Sequence, residues 1–153
     1  MKIRFAYVLT ALFCIGWVPA IIVAEIVDPQ AGIITVPPAA HVVKNPMKKS
    51  KDNLLAGAVV YREQCSGCHG ALGTPERRLP SLAIQPAKLG SSAVEHLSDG
   101  DIFWIISNGA PGGMPSFKDD LSETQRWQTI LFVRRLNKDA AKYIAELPPQ
   151  EGK

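Results

Sequence analysis

Cys65-Ser66-Gly67-Cys68-His69 is the stretch of this chain whose residue types and spacing point to chemistry. Two thiols three positions apart reach the two vinyl groups along one edge of a porphyrin and form thioethers with them. A histidine directly after the second thiol lies under the ring, where it can ligate the iron. The pattern is that of covalent c-type haem attachment. Other uses of paired cysteines fit less well. A zinc site needs four ligands, usually as two spaced pairs, but the third cysteine, Cys14, sits in an apolar run and His41 and His96 are isolated. A thioredoxin-like pair needs a surrounding βαβ pattern, and none is visible. Three cysteines also exclude a disulfide scaffold.

A haem held by one histidine takes its second axial ligand from a methionine or histidine well downstream. Of the three methionines, Met1 is the initiator and Met47 lies in a Pro- and Lys-containing stretch. Met114 lies in Asn108-Gly109-Ala110-Pro111-Gly112-Gly113-Met114-Pro115-Ser116-Phe117. Glycines let that backbone approach closely and prolines limit its alternatives, so the loop can hold a thioether at a fixed distance from the iron. His96 is the competing ligand and His41 a weaker one; the bland reading of both is a surface histidine.

The elements that must position these groups are helical. Asp52 or Asn53 can cap a helix that runs through Leu54, Gly57 and Tyr61 to the cysteines. Gly57 and Tyr61 share one face of it, and the glycine allows another helix to come close. Ser122-Glu123-Thr124-Gln125 reads as a capping box. The apolar stripe Trp127, Ile130, Leu131, Val133 and Leu136 that follows makes the partner helix, with Phe132 expected at the crossing. A middle helix starts near Ser98 or Asp99, carries Ile102 to Ile106, and stops at Gly109. Phe103, Trp127 and Phe132 read as core. Trp104 is a candidate donor to a haem propionate, because a buried indole N–H needs a partner.

Together these residues resemble class I c-type cytochromes, in particular the small mono-haem domains of bacterial membrane respiratory complexes. The matching pattern is Gly57-x-x-x-Tyr61-x-x-x-Cys65-x-x-Cys68-His69-Gly70, then Asp99-Gly100-Asp101-Ile102-Phe103-Trp104, then Gly109 and Met114-Pro115, then the helix from Trp127 to Leu136. The resemblance covers roughly residues 53–137. It implies an all-α fold of three to five helices around one covalent haem c, with His69 as proximal and Met114 as distal ligand. It also implies a proline carbonyl that accepts the Nδ1 hydrogen of His69, and Pro80 matches that position. Arg77 and Arg78 read as solvated loop charges rather than propionate partners.

The chain has 153 residues, 46% of them apolar, and a formal net charge of +3. Residues 53–153 carry 11 basic and 11 acidic side chains. That neutral balance argues against nucleic-acid binding, which needs a basic face, and against disorder, which needs high net charge. Phe5 to Ala24 is a run of 20 residues without charge, with Lys2 and Arg4 before it and Glu25 and Asp28 after it. Its length suits a single transmembrane helix, and the positive-inside rule sends the rest of the chain to the outer, periplasmic side of an inner membrane. A cleaved secretory signal has the same polarity and a shorter apolar region. Residues 1–24 are thus expected as an anchor or uncleaved signal, 25–52 as a linker with four prolines and a lysine cluster, 53–143 as the haem domain and 144–153 as a tail. The expected activity is one-electron transfer to redox protein partners, either as an anchored carrier or as a subunit of a larger membrane respiratory or photosynthetic complex. A peroxidase-like centre, with Met114 off the iron, is the enzymatic alternative.

Overall fold

The computed structural model describes residues 34–149; the apolar run expected to be an anchor lies outside the described residues. The described chain is all helical, with α1 (Pro38–His41), α2 (Lys51–Val60), a π-helical turn (Tyr61–Cys65), α3 (Ser66–His69), α4 (Ser92–His96), α5 (Asp99–Asn108), α6 (Glu123–Val133) and α7 (Ala140–Ala145). No helix among the described residues is long and apolar enough to cross a membrane.

Three helices carry the architecture, and the most extensive packing is α2 against α6. Gly57 makes that crossing possible: a Cβ there would stand 2.1 Å from the Gln128 carbonyl oxygen. One turn further on, the Tyr61 and Phe132 rings meet with centroids 5.1 Å apart. Leu54, Ala58, Tyr61, Leu131, Phe132, Val133 and Leu136 form the core of this crossing. A second apolar cluster, Ile102, Ile106, Trp127 and Ile130, joins α5 to α6. Phe132 and Trp127 are buried as expected, and Phe103 stacks on Trp127 at 4.0 Å.

The caps explain the boundaries. Ser98 and Ser122 each accept from the backbone three residues on, and Asp101 and Gln125 return the bond, so α5 and α6 both start on full capping boxes. Helix α2 starts at Ser50 rather than at Asp52 or Asn53. The Ser50 hydroxyl takes the Asn53 N–H, while the Asn53 side chain donates to the Lys48 carbonyl at 2.9 Å, so the asparagine serves the turn before the helix.

Two segments expected to lie outside the domain are packed on it. Residues 38–50, expected as linker, cross α5 and α6. Gly100 lets the Ala40 carbonyl sit where its own Cβ would be, and His41 Nδ1 lies 2.5 Å from the buried Asp101 carboxylate. Asn45 donates to the Trp127 carbonyl at 3.0 Å, and Met47 packs against both apolar clusters. Apart from the single turn of α1, this strap has little regular structure, which is why its proline-containing composition looks like that of a free tether. At the other end, Ile144 and Leu147 of the expected tail pack on the core beside the buried Tyr143 of α7. Lys51 pairs with Glu146 at 2.7 Å, and Arg62 donates to the Pro148 carbonyl at 2.6 Å.

Candidate haem site

The Cys65–His69 motif follows α2, the helix that crosses α6. Between α2 and α3 the backbone widens into one π turn, in which the Ser66 N–H bonds to the Tyr61 carbonyl. Such a turn inserts a residue and re-aims everything after it, and it is frequent at functional sites. Here it leaves Cys65 half-buried against the core and Cys68 exposed. Both thiols are free. Burial, with the neighbouring Cys68 charge as a lesser cause, pushes the Cys65 thiol up to about 12.

Directly after His69 the chain turns on Gly70, whose φ of +78° suits glycine and whose absent Cβ would stand 1.9 Å from the Thr74 carbonyl oxygen. The buried Tyr61 hydroxyl donates to the Gly70 carbonyl at 2.7 Å and fixes this turn from the core side. Burial pushes the Tyr61 hydroxyl above its ordinary value, so it stays a donor. The loop then travels outward and returns, and the Leu89 N–H closes it on the Gly73 carbonyl at 2.8 Å.

That return brings the Ala87 carbonyl 2.9 Å from His69 Nδ1. A carbonyl only accepts, so Nδ1 carries the hydrogen and Nε2 keeps its lone pair free for a metal. Burial lowers the His69 pKa and favours the neutral imidazole, an effect partly countered by the Ala87 bond, which raises it. This corrects the expectation for Pro80. Pro80 is exposed in a turn closed by the Leu82 N–H on the Leu79 carbonyl at 3.1 Å. The Gln85 side chain clamps that turn through the Leu79 N–H and the Leu79 and Leu82 carbonyls. Six more residues, 81–86, pass before the chain comes back to the histidine at Ala87. Nothing in the sequence singles out Ala87, because the group it supplies is one that every residue has.

Met114 is positioned by α5 and by the same returning loop. Gly109 ends α5 with φ +79°, and its N–H bonds the Ile105 carbonyl at 2.8 Å. The Ala110 N–H reaches the Met114 carbonyl at 3.0 Å and closes a small antiparallel bridge. Cβ atoms on Gly112 and Gly113 would each come within 2.4 Å of the Ile84 and Leu82 side chains respectively, so these two positions press on the 79–87 loop. Ser116 donates to the Ser107 carbonyl at 2.7 Å and the Phe117 N–H to Ile106 at 3.0 Å. The Met114 side chain lies half-buried on the Ile102, Ile106, Trp127 and Ile130 cluster. The loop that supports His69 therefore also supports the methionine loop.

The two rival histidines have partners elsewhere. His96 is exposed on α4 with Nδ1 2.6 Å from its own helix's Ser92 carbonyl, and His41 is paired with Asp101. Trp104 lies half-buried on α5, and its carbonyl accepts from Asn108 at 2.8 Å. Arg77 and Arg78 are exposed, as expected. The donor set fits a haem c: two free thiols for thioethers, an imidazole with its metal-binding nitrogen open and its other nitrogen anchored, and a thioether on a braced loop.

Residues 52–133, more than half of the chain, match the family model described as cytochrome c oxidase, cbb3-type, subunit III, a c-type cytochrome domain. The chain belongs to this family, and with it to the electron-transfer haem proteins of class I cytochrome c type. No curated protein matches it. Among solved structures it is similar to a chain of the reducing HAO-like protein complex of Kuenenia stuttgartiensis, at 22% identity and a TM-score of 0.42. The match covers 61% of this chain and 49% of that one, so this chain spans about half the length of that neighbour.

Proposed function

We propose that the chain is a one-electron carrier whose haem c is attached through Cys65 and Cys68 and ligated by His69 and Met114, held on the periplasmic side of the membrane by residues 1–24. The observation that carries this reading is the His69 geometry: Nδ1 committed to Ala87 at 2.9 Å and Nε2 left open. Bound there, the haem supplies a one-electron iron couple. Ala87 orients the imidazole and strengthens it as a ligand. With Met114 as its second protein ligand the haem would have no open position for a substrate, so peroxidase chemistry is not expected. Methionine ligation and burial both raise the reduction potential relative to a bis-histidine haem. The family description favours a second form of the same function, a fixed haem subunit of a larger membrane oxidoreductase.

One preparation tests both levels. The full chain is purified from membranes in mild detergent, its mass and companions are determined, and its ferric spectrum is recorded. The expected result is a chain retaining residues 1–24, one haem mass, and the weak far-red sulfur-to-iron band. Met114→Ala should abolish that band. Survival of the band would rule out Met114 as the ligand, and recovery of a truncated soluble chain would rule out the anchor. Companion chains in fixed ratio would select the subunit form.

A further inference from the structure

Two arginines on or just beyond α6 are handled in opposite ways. Arg134, at the C-cap, is satisfied: its guanidinium reaches the Asp99 carboxylate at 2.8 Å and the Val94 and Leu97 carbonyls at 3.1 and 2.5 Å. Arg126, near the helix start, is only 8% exposed, and its Nε and Nη1 are enclosed without a hydrogen-bond partner. No carboxylate pairs with it among the described residues. Its guanidinium lies over the Phe103 ring, 4.9 Å from the centroid, and Phe103 stacks in turn on Trp127. Phe103 and Met114 pack on one and the same apolar cluster, which includes Trp127.

A buried cation without a counter-charge is costly, and one aromatic face offsets only part of that cost. A neutral side chain of similar size would serve packing as well or better. The charge therefore points to a use that a neutral side chain of the same shape would not supply. We propose that Arg126 is a positioning residue for charge: a fixed internal cation, held by the Phe103–Trp127 stack beside the Met114 side of the haem, that raises the reduction potential of the centre. This inference rests on the haem reading above. Uptake of one electron from the redox partner lowers the positive charge at the iron by one unit, so a nearby immobile cation favours the reduced state. Inside a domain, where the effective dielectric is about 20, a full charge a few side chains away shifts such an equilibrium about tenfold.

The test is spectroelectrochemical titration of the haem-loaded full chain and of Arg126→Met, Arg126→Gln and Arg126→Lys, with the thermal unfolding midpoint measured beside it. The expected result is an approximately tenfold shift toward the oxidised form in the Met and Gln variants, about 59 mV for one electron. The Lys variant should keep most of the parent potential, and the Met variant should be no less heat-stable than the parent. An unchanged potential in both neutral variants would overturn the proposal, as would an equal fall in the Lys variant, which would make shape rather than charge the cause. Arg126→Gln keeps the test decisive if the Met variant does not fold. The far-red band separates this inference from the one it rests on. If the parent lacks the band, Met114 ligation fails on its own. If a neutral variant loses the band, Arg126 positions the methionine rather than supplying charge.

Discussion

The two sides of the site are built on different physical terms. On the His69 side, a helix crossing, a buried tyrosine and a returning loop all constrain the same few backbone atoms. The Tyr61 hydroxyl fixes the Gly70 carbonyl, Leu89 closes the loop on Gly73, and Ala87 then meets the ring. On the Met114 side, one bridge, two backbone anchors and a pair of glycines pressed on Leu82 and Ile84 hold a loop without a helix of its own. The first arrangement is part of the folding core, so breaking it costs stability. The second is an outlying loop, so breaking it should displace Met114, the proposed ligand, and leave the fold largely in place. On the proposed reading, a carrier gains from that division: the attachment side is tied to the folding core, and the Met114 side is left to set the ligation.

The largest expected effect comes from the core of the first side. Gly57→Ala places a methyl group 2.1 Å from a backbone oxygen of Gln128, which cannot swing aside as a side chain would. The helices must separate, and we expect a loss of about 3 kcal/mol in urea unfolding of the haem-loaded chain. A loss under about 1 kcal/mol would mean that the α2–α6 crossing is not the element that holds the motif.

A smaller and different effect is expected from the second side. Gly113 has φ +128°, and its Cβ would meet Leu82 Cδ2 at 2.4 Å, the flexible end of a side chain. Gly113→Ala should cost about 1–2 kcal/mol of backbone strain and local repacking. Its sharper signature is spectroscopic: the far-red band should weaken while the unfolding curve keeps its shape. Equal damage from the Gly57 and Gly113 variants on both readouts would erase the distinction between the two sides.

Much of this was legible in the sequence because the informative residues act through their own side chains at fixed spacing. The cysteines and histidine, the glycine four before the tyrosine, and the Ser122–Gln125 capping box are such signals. What was not legible is work done by groups without a side-chain signature. The His69 acceptor is the carbonyl of Ala87, not of Pro80, because loop length and the Gln85 clamp decide where the chain returns. The strap over 38–50 has the composition of a tether and is docked through backbone oxygens, one asparagine and Met47. Arg126 looks like any charged residue in the first turn of a helix. Only the neighbouring Phe103, brought in from α5, shows that it is enclosed.

The smallest expected effect lies outside both sides of the site and tests what holds α7 on the core. Asp139 precedes α7, and Arg135 and Lys142 both bond its carboxylate. Those two bonds hold its carboxyl well below the usual carboxylate range. A depressed folded-state value means that the stabilisation is fully present above the ordinary carboxylate pKa of about 4 and is lost as the pH falls through the folded value. Asp139→Asn removes it at every pH. The thermal midpoints of parent and variant should therefore differ slightly and by a constant amount from neutral pH down to about pH 5, then converge below about pH 4. A gap that persists undiminished into strong acid would assign the effect to the backbone turn at 134–139 rather than to the charge. A vanishing gap at neutral pH would mean that α7, although Tyr143 is buried, is held by its apolar face alone.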